Sequence, residues 1–275
     1  MKRKNYYGNR VFITGASSGI GRSCALMFAG NGFDVTGVSR NIKEKTERFP
    51  GGGSLTFKRL DVTDEAATKE FVKNLPGVDI AVLCAGMGIA GPAETTASEL
   101  TRRQMEVNYF GTLNAAQPCL GRMRRQHRGL LIVIGSIAGR VSIPMQSQYS
   151  ASKYALEAFT DAVRMEMKQY GVRVCIIEPG DTKTGFTKAR VMQSAKHDSD
   201  TYSSTLRKSV ARMASDEQNG RSPDTVARVA LALTARRNPP ARVPVGLEYK
   251  ALMLLMRIMP DRAKEVVLSK LYLPK

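Results

Sequence analysis

The sequence predicts an α/β protein: a doubly wound, seven-stranded parallel sheet with helices on both faces, in a single domain. Three observations carry this. Short β-branched apolar runs alternate with helical patterns along the chain. The runs are almost continuously apolar, as strands buried on both faces must be. No Pro/Gly/Ser-rich linker divides the 275 residues, a length that one α/β domain can fill.

The strand runs are 11–13, 35–38, 55–57, 80–83, 130–134, 172–177 and 242–245. Long helical segments fall at about 18–30, 98–127 and 149–170. The last of these places Ala151, Ala155, Phe159 and Val163 on one face at i, i+4 spacing. Gly51-Gly52-Gly53 reads as a flexible turn between a helix and a strand. The stretch RMRRQHRG at 122–129 reads as the end of a helix stopped by Gly129, with cations complementing the helix dipole. Asp64 suits an N-cap. Residues 8–180 read as the core. Residues 181–222 are polar and follow a strand end, the place for a lid or a disordered loop. Residues 223–275 hold a further helix, the last strand and an apolar extension.

Net charge is +18, from 42 Lys plus Arg against 24 Asp plus Glu. That balance admits nucleic acid, an anionic membrane or an anionic ligand as partner. The basic residues are scattered, however, and the one internal cluster is accounted for by the helix end, so no nucleic-acid partner is expected. Cys24, Cys84, Cys119 and Cys175 are far apart, each in an apolar stretch, and lack metal-ligand spacing. They read as buried thiols of a reducing compartment, with no metal. The basic, polar start MKRKNYYG is unlike a signal peptide. The apolar run 251–256 is far too short to span a bilayer. The expected location is the cytoplasm.

The chemistry begins where the first strand runs into TGASSGIG at 14–21 and then a helix. Glycines at such a turn let the backbone approach a pyrophosphate, whose charge the helix N-terminus attracts. The spacing is G-x-x-x-G-x-G, not the general G-x-G-x-x-G. The second strand ends in Val38-Ser39-Arg40 with no acid. An NAD site would place a carboxylate there for the ribose hydroxyl; a guanidinium suits a 2′-phosphate, so NADP(H) is preferred, with NAD(H) as the lesser reading. Arg22 offers a second cation. In QYSASK at 148–153, Tyr149 and Lys153 are i, i+4 neighbours on a helix. An ammonium beside a phenol favours the phenolate and suits proton transfer.

Taken in order, TGASSGIG, Asp61-Val62, Ala85-Gly86, Asn108, Ser136, YSASK and Pro179-Gly180 resemble the short-chain dehydrogenase/reductase superfamily in its single-domain, Rossmann-type form. The likeness runs over roughly 10–246. From 149 to 186, with KYALEAF and EPGDTKTGF, it is closest to the hydroxysteroid and retinol dehydrogenase branch. The resemblance implies that Tyr149 is the general acid or base, that Lys153 lowers its pKa and holds the nicotinamide ribose, and that Ser136 holds the substrate oxygen. Asn108 would bind a water linking Lys153 to solvent. Gly15, Ser17, Ser18, Gly19, Ile20 and Gly21 would line the phosphates, and Arg22, Ser39 and Arg40 the adenosine end. Asp61 and Val62 would meet the adenine, Ala85 and Gly86 would back the cofactor, and Pro179, Gly180, Thr182 and Thr184 would flank the nicotinamide. Cys84 stands where the family usually has an Asn, a poorer hydrogen-bonding group. Relatives of this kind are commonly homodimers or homotetramers.

Met87, Gly88, Ile143, Met145, Phe186 and Met192 should lie near the substrate, and their apolar, flexible side chains suit a bulky lipophilic alcohol or ketone such as a steroid, bile acid or retinoid. Lys183, Lys188, Arg190 and Lys196 in the insert would favour an anionic group on it. Two other readings stay open: a 3-ketoacyl carrier-protein reductase, whose acidic partner would suit the +18 charge, and a non-catalytic cofactor-sensing or nucleic-acid-binding scaffold. The 249–273 extension reads as a subunit interface, a pocket cover or a membrane-surface contact.

Overall fold

A computed structural model describes residues 5–193 and 199–273. In chain order the strands are β1 (Arg10–Thr14), β2 (Asp34–Ser39), β3 (Lys45–Arg48), β4 (Ser54–Arg59), β5 (Ile80–Leu83), β6 (Ile89–Ala90), β7 (Gly129–Ile134), β8 (Val172–Pro179), β9 (Val191–Met192) and β10 (Arg242–Val245). The helices are α1 (Gly19–Gly30), α2 (Glu65–Asn74), α3 (Ser98–Met105), α4 (Gly111–Arg125), α5 (Ser147–Lys168), α6 (Phe186–Ala189), α7 (Ser199–Gln218), α8 (Pro223–Leu233), α9 (Leu247–Ile258) and α10 (Asp261–Tyr272).

The main sheet runs β10-β8-β7-β5-β1-β2-β4-β3. All neighbours are parallel except the edge pair β3–β4. The seven expected strands are present, therefore, with an eighth, antiparallel strand added. Residues 45–48 are polar and mostly exposed, so no apolar run announces them. Gly51 to Gly53 consequently turn one strand into another rather than a helix into a strand. Alternate residues feed opposite faces. Val11 and Ile13 pack with Phe28 of α1 and Val226 and Ala230 of α8. Phe12 packs with Met123 of α4 and Val163 of α5. Each large apolar side chain fully buried in this way contributes about 1.5–3 kcal/mol.

The helix expected over 98–127 is three pieces: α3, a π turn over Glu106–Phe110, and α4. It ends at Arg125, and Gly129 is the first residue of β7, not the stop. The left-handed position is taken by His127, at φ +50°. Arg122 is spent on the carbonyls of Val72 and Lys73, which explains one cation of that cluster structurally. Asp64 does cap α2, accepting from Ala67 N at 2.9 Å. The insert at 181–222 is largely ordered as α6, β9 and α7, with β9 pairing to β6 beside the cavity. All four cysteines are free, and three of them are buried.

β1 lies between β2 and β5, where the strand order reverses. In open α/β sheets the crevice beyond the carboxyl ends of such strands receives the ligand.

Candidate active site

A cavity of about 470 Å³ opens at that crevice. Its inner end is the glycine-rich turn. Gly15 and Gly19 take φ of +68° and +52°, which disfavours a side chain. A Cβ at Gly21 would overlap the Gly15 carbonyl, so α1 can start hard against the turn. Ser18 is the N-cap of α1, but its hydroxyl makes no capping bond. The first-turn N–H groups thus remain open to an anion, and Ser18, Gly19, Ile20 and Gly21 all line the cavity. Ser17 and Ser39 join hydroxyls at 3.0 Å, tying the turn to the end of β2. Arg40 lies exposed on the rim among the lining residues. Arg22 is exposed and outside the lining, because the helix has turned it away. Asp61 and Val62 line the far wall, where the Asp61 carboxylate accepts from Thr63 N and Oγ1 at 3.0 and 2.8 Å.

Thr14 supplies the strand bracing that Cys84 cannot. Its hydroxyl accepts from Cys84 N at 3.0 Å and Ala85 N at 3.2 Å, joining β1 to β5 across the floor. Asn108 is fully buried within the π turn. Its Oδ1 accepts from Met87 N at 2.8 Å, and its Nδ2 donates to Met87 O at 3.1 Å and Ser152 Oγ at 3.0 Å. It does not line the cavity. Its amide therefore clamps the loop after β5 onto α5.

Ser136, Tyr149 and Lys153 converge, as their order along the chain implied. Ser136 follows β7 by two residues and caps a short 3₁₀ turn, its Oγ accepting from Ala138 N at 3.1 Å. Ser136 and Tyr149 both line the cavity, with the Ser136 side chain near enough to the phenol to lower its pKa. Lys153 is 6% exposed, lies one turn further along α5 and donates to Ile134 O at 3.0 Å. Its Nζ is 5.8 Å from the Tyr149 ring centroid. Burial pushes the phenol up to about 12, opposed first by Ser136; the Glu217 carboxylate pushes it up further and the Arg190 guanidinium opposes it. Burial pulls the Lys153 ammonium down to about 8, with Cys84 and Glu157 opposing. On balance these groups raise the phenol's pKa, burial outweighing Ser136 and Arg190.

Beneath Lys153, Glu157 of α5 meets Glu178 of β8. Burial raises the pKa of both carboxyl groups, and the neighbouring Glu178 raises that of Glu157 further. Arg242 donates to Glu157 at 2.8 Å and Arg140 to Glu178 at 3.3 Å. This pair supports the shelf that carries Ser136 and Pro179; the KYALEAF and EPG motifs contain both residues but gave them no role.

The outer wall is apolar and built largely from the insert. Phe186 lies over Gly88, where a Cβ would come within 2.5 Å of its ring. Met87, Ile143 and Val191 share this wall with Tyr272 of α10. Met145 and Met192 are outside it: Met145 sits at φ +62° with its carbonyl on Gly91 N, and Met192 points outward from β9. Two polar groups that the sequence did not single out also line the cavity. Gln146 is buried with its Nε2 unpartnered, and Glu217 of α7 is paired to Arg190 and Thr187. That pairing neutralises Arg190, and Lys183 and Lys188 are exposed away from the lining. The cationic pocket expected from the insert is not formed by these three; Lys196 lies outside the described residues.

Pro179, Gly180, Thr182 and Thr184 also line the cavity, with Thr184 beside Gly19, as do Ala85, beside Gly15, and Gly86. The crossover at β1, the uncapped α1 and the Ser-Tyr-Lys convergence define a nucleotide-dependent oxidoreductase. The short chain dehydrogenase family model matches residues 9–195, and the chain belongs to the short-chain dehydrogenase/reductase family. It is 33% identical over 267 residues to a 3-ketodihydrosphingosine reductase of Bacteroides thetaiotaomicron, covering 95% of this chain and 97% of that protein. It is 30% identical to the dehydrogenase/reductase SDR family member 7B of Bos taurus, over 98% of this chain and 86% of that protein. Among solved structures, a short-chain dehydrogenase from Streptomyces avermitilis superimposes with a TM-score of 0.80 at 23% identity, covering 96% of each chain. One from Burkholderia cenocepacia, in complex with NADP, gives 0.73 at 21% identity over 96% of this chain and 98% of that one.

Proposed function

We propose that the protein is an NADP(H)-dependent oxidoreductase that interconverts a secondary alcohol and a ketone on a bulky lipophilic molecule. The observation that carries this is the convergence of Ser136 and Tyr149 hydroxyls between an uncapped helix N-terminus and an apolar wall. The cradle of Gly15 to Gly21 fits a dinucleotide pyrophosphate, Arg40 fits a 2′-phosphate, and Lys153 fits a ribose hydroxyl. When bound, the nicotinamide supplies or accepts the hydride.

The protein's own groups do the rest. Ser136 and Tyr149 donate to the carbonyl oxygen and polarise it. Tyr149 then gives its proton to that oxygen as hydride reaches the carbon; in alcohol oxidation it takes the proton back. Burial and Glu217 raise the phenol's pKa, so Tyr149 carries its proton when the ketone binds. Lys153 and the charge of the bound cofactor would provide the offset that oxidation needs. Asn108 keeps the Met87 loop fixed against α5 during turnover. Phe186, Met87, Ile143 and Tyr272 exclude water and grip the apolar body.

A hydroxysteroid or bile-acid-like molecule suits this wall. A long-chain keto lipid suits it as well, and the likeness to a 3-ketodihydrosphingosine reductase favours it. The unpartnered Gln146 amide and the Glu217 carboxylate are placed to meet polar groups beside the ketone. The test is a panel of 3-ketodihydrosphingosine, steroid and bile-acid ketones, retinal and a ketoacyl carrier-protein thioester, each with NADPH. Turnover of a lipophilic ketone well above the thioester supports the reading. Turnover of the thioester alone would replace it with a carrier-protein reductase.

A further inference from the structure

The C-terminal pair α9–α10 is amphipathic in an unusual sense: both of its faces are apolar. The inner faces are used. Leu252, Met253 and Met256 of α9 and Leu268 of α10 pack together and onto Ile137 and Val141 beside Ser136. The outer faces are bare. On α9, Leu247, Leu254 and Ile258 are 78%, 65% and 73% exposed, and with Ala251 and Leu255 they form one stripe at i, i+4, i+7, i+8, i+11 spacing. On α10, Val266, Val267 and Leu271 are exposed. Cations border these residues. Lys250 and Arg257 flank one side of the α9 stripe, and Arg262 and Lys270 stand in the row of Val266 at i−4 and i+4. None of these four makes an ion pair among the described residues. The acids nearby are mostly spent: Glu248 is tied to Arg221 and Asp261 to Lys264, leaving Glu265.

We propose that the outer face of α9–α10 docks on an anionic lipid surface, lying in the headgroup layer beside the cavity mouth. The inference rests on the proposed lipophilic substrate only for its purpose, which is to let such a molecule pass from the lipid to the cavity. A stripe of large apolar residues edged by unpaired cations is the pattern of an interfacial helix, and the chain's +18 charge adds long-range attraction. A second copy is the rival occupant, but an isologous contact would set these cations against themselves with one unpaired acid per copy to answer four. No helix among the described residues is long and apolar enough to cross a membrane, so contact would be superficial. The face is also coupled to the site. Tyr272 at the end of α10 lines the cavity, and Tyr249 of α9 fills the space beside Gly180 and donates to Asp181 at 2.7 Å.

The experiment is sedimentation of the full chain with vesicles of phosphatidylcholine alone or mixed equally with phosphatidylglycerol, at low and high salt. The expected result is binding to the anionic vesicles, weakened at least tenfold by high salt, by Leu254→Glu with Ile258→Glu, and by Lys250→Glu with Arg257→Glu. Binding of NADPH and turnover of a water-soluble ketone stay unchanged in these variants, which shows that they fold. Absence of binding to anionic vesicles at low salt overturns the proposal. So does equal binding to neutral vesicles, or a wild-type dimer that Leu254→Glu with Ile258→Glu splits without any vesicle binding. Vesicle binding with no lipophilic ketone turned over would leave the docking face standing and overturn the proposed function.

Discussion

The Phe186 ring lies against the Tyr149 ring, with centroids 5.7 Å apart and planes at 57°. One residue comes from the insert and the other from the core helix α5. The contact makes the insert part of the proton-transfer site, and Arg190, 5.9 Å from the centroid of the same Phe186 ring, anchors it through Glu217.

Phe186→Ala removes an apolar wall and leaves both donor hydroxyls in place. Lost contacts of this kind are worth about 1–3 kcal/mol, or roughly 10- to 100-fold in kcat/KM. The loss should fall on a bulky lipophilic ketone and spare a short one such as butanone. Equal loss on both would show that Phe186 serves Tyr149 rather than the substrate's apolar body.

Arg40→Asp exchanges a guanidinium at the cavity rim for a carboxylate. A charge-assisted bond to a 2′-phosphate is worth about 1.5–3 kcal/mol. KM for NADPH should rise by about 10- to 100-fold while that for NADH falls or holds. Unchanged cofactor preference would remove Arg40 from the site.

Glu157 titrates near pH 7 because burial and then Glu178 push it up from 4.5, against Arg242. A carboxyl whose folded pKa is raised stabilises the fold fully below its unfolded pKa, and this is lost as pH rises through the folded value. Arg242, Arg140, Asp161 and Lys153 surround the pair. Glu157→Gln keeps a neutral donor toward Glu178 and cannot ionise. The variant should therefore gain on wild type between about pH 4.5 and 7, by about 1–3 kcal/mol in denaturant unfolding. A difference that stays flat across that range would mean that Glu157 does not titrate there.

Much of this architecture could be read from the chain. The seven parallel strands showed themselves because burial on both faces forces continuous apolar runs. TGASSGIG and YSASK showed themselves because phosphate binding and proton transfer demand particular residues at fixed spacing. β3 was hidden because Lys45 to Arg48 form an exposed edge with no apolar period. The π turn at Glu106–Phe110 leaves the helical pattern intact on either side and so leaves no mark in composition. Gln146 and Glu217 were missed for another reason. Their roles depend on which way the chain returns over the cavity, and nothing local to Gln146 or to α7 records that. The same return path turned Arg190 inward to Glu217, where charge alone suggested an anion-binding lid. Thr14 reads as an ordinary strand residue, and only the position of Cys84 across the sheet makes its hydroxyl a brace.

The central claim is that Tyr149 moves the proton. Tyr149→Phe removes one hydroxyl from a ring that Phe186 continues to hold, so the cavity keeps its shape. NADPH binding, followed by fluorescence, should match wild type, while single-turnover reduction of the best ketone from the panel should fall by at least about 10²–10⁴-fold. Wild-type turnover in Tyr149→Phe, with NADPH bound normally, would contradict the account.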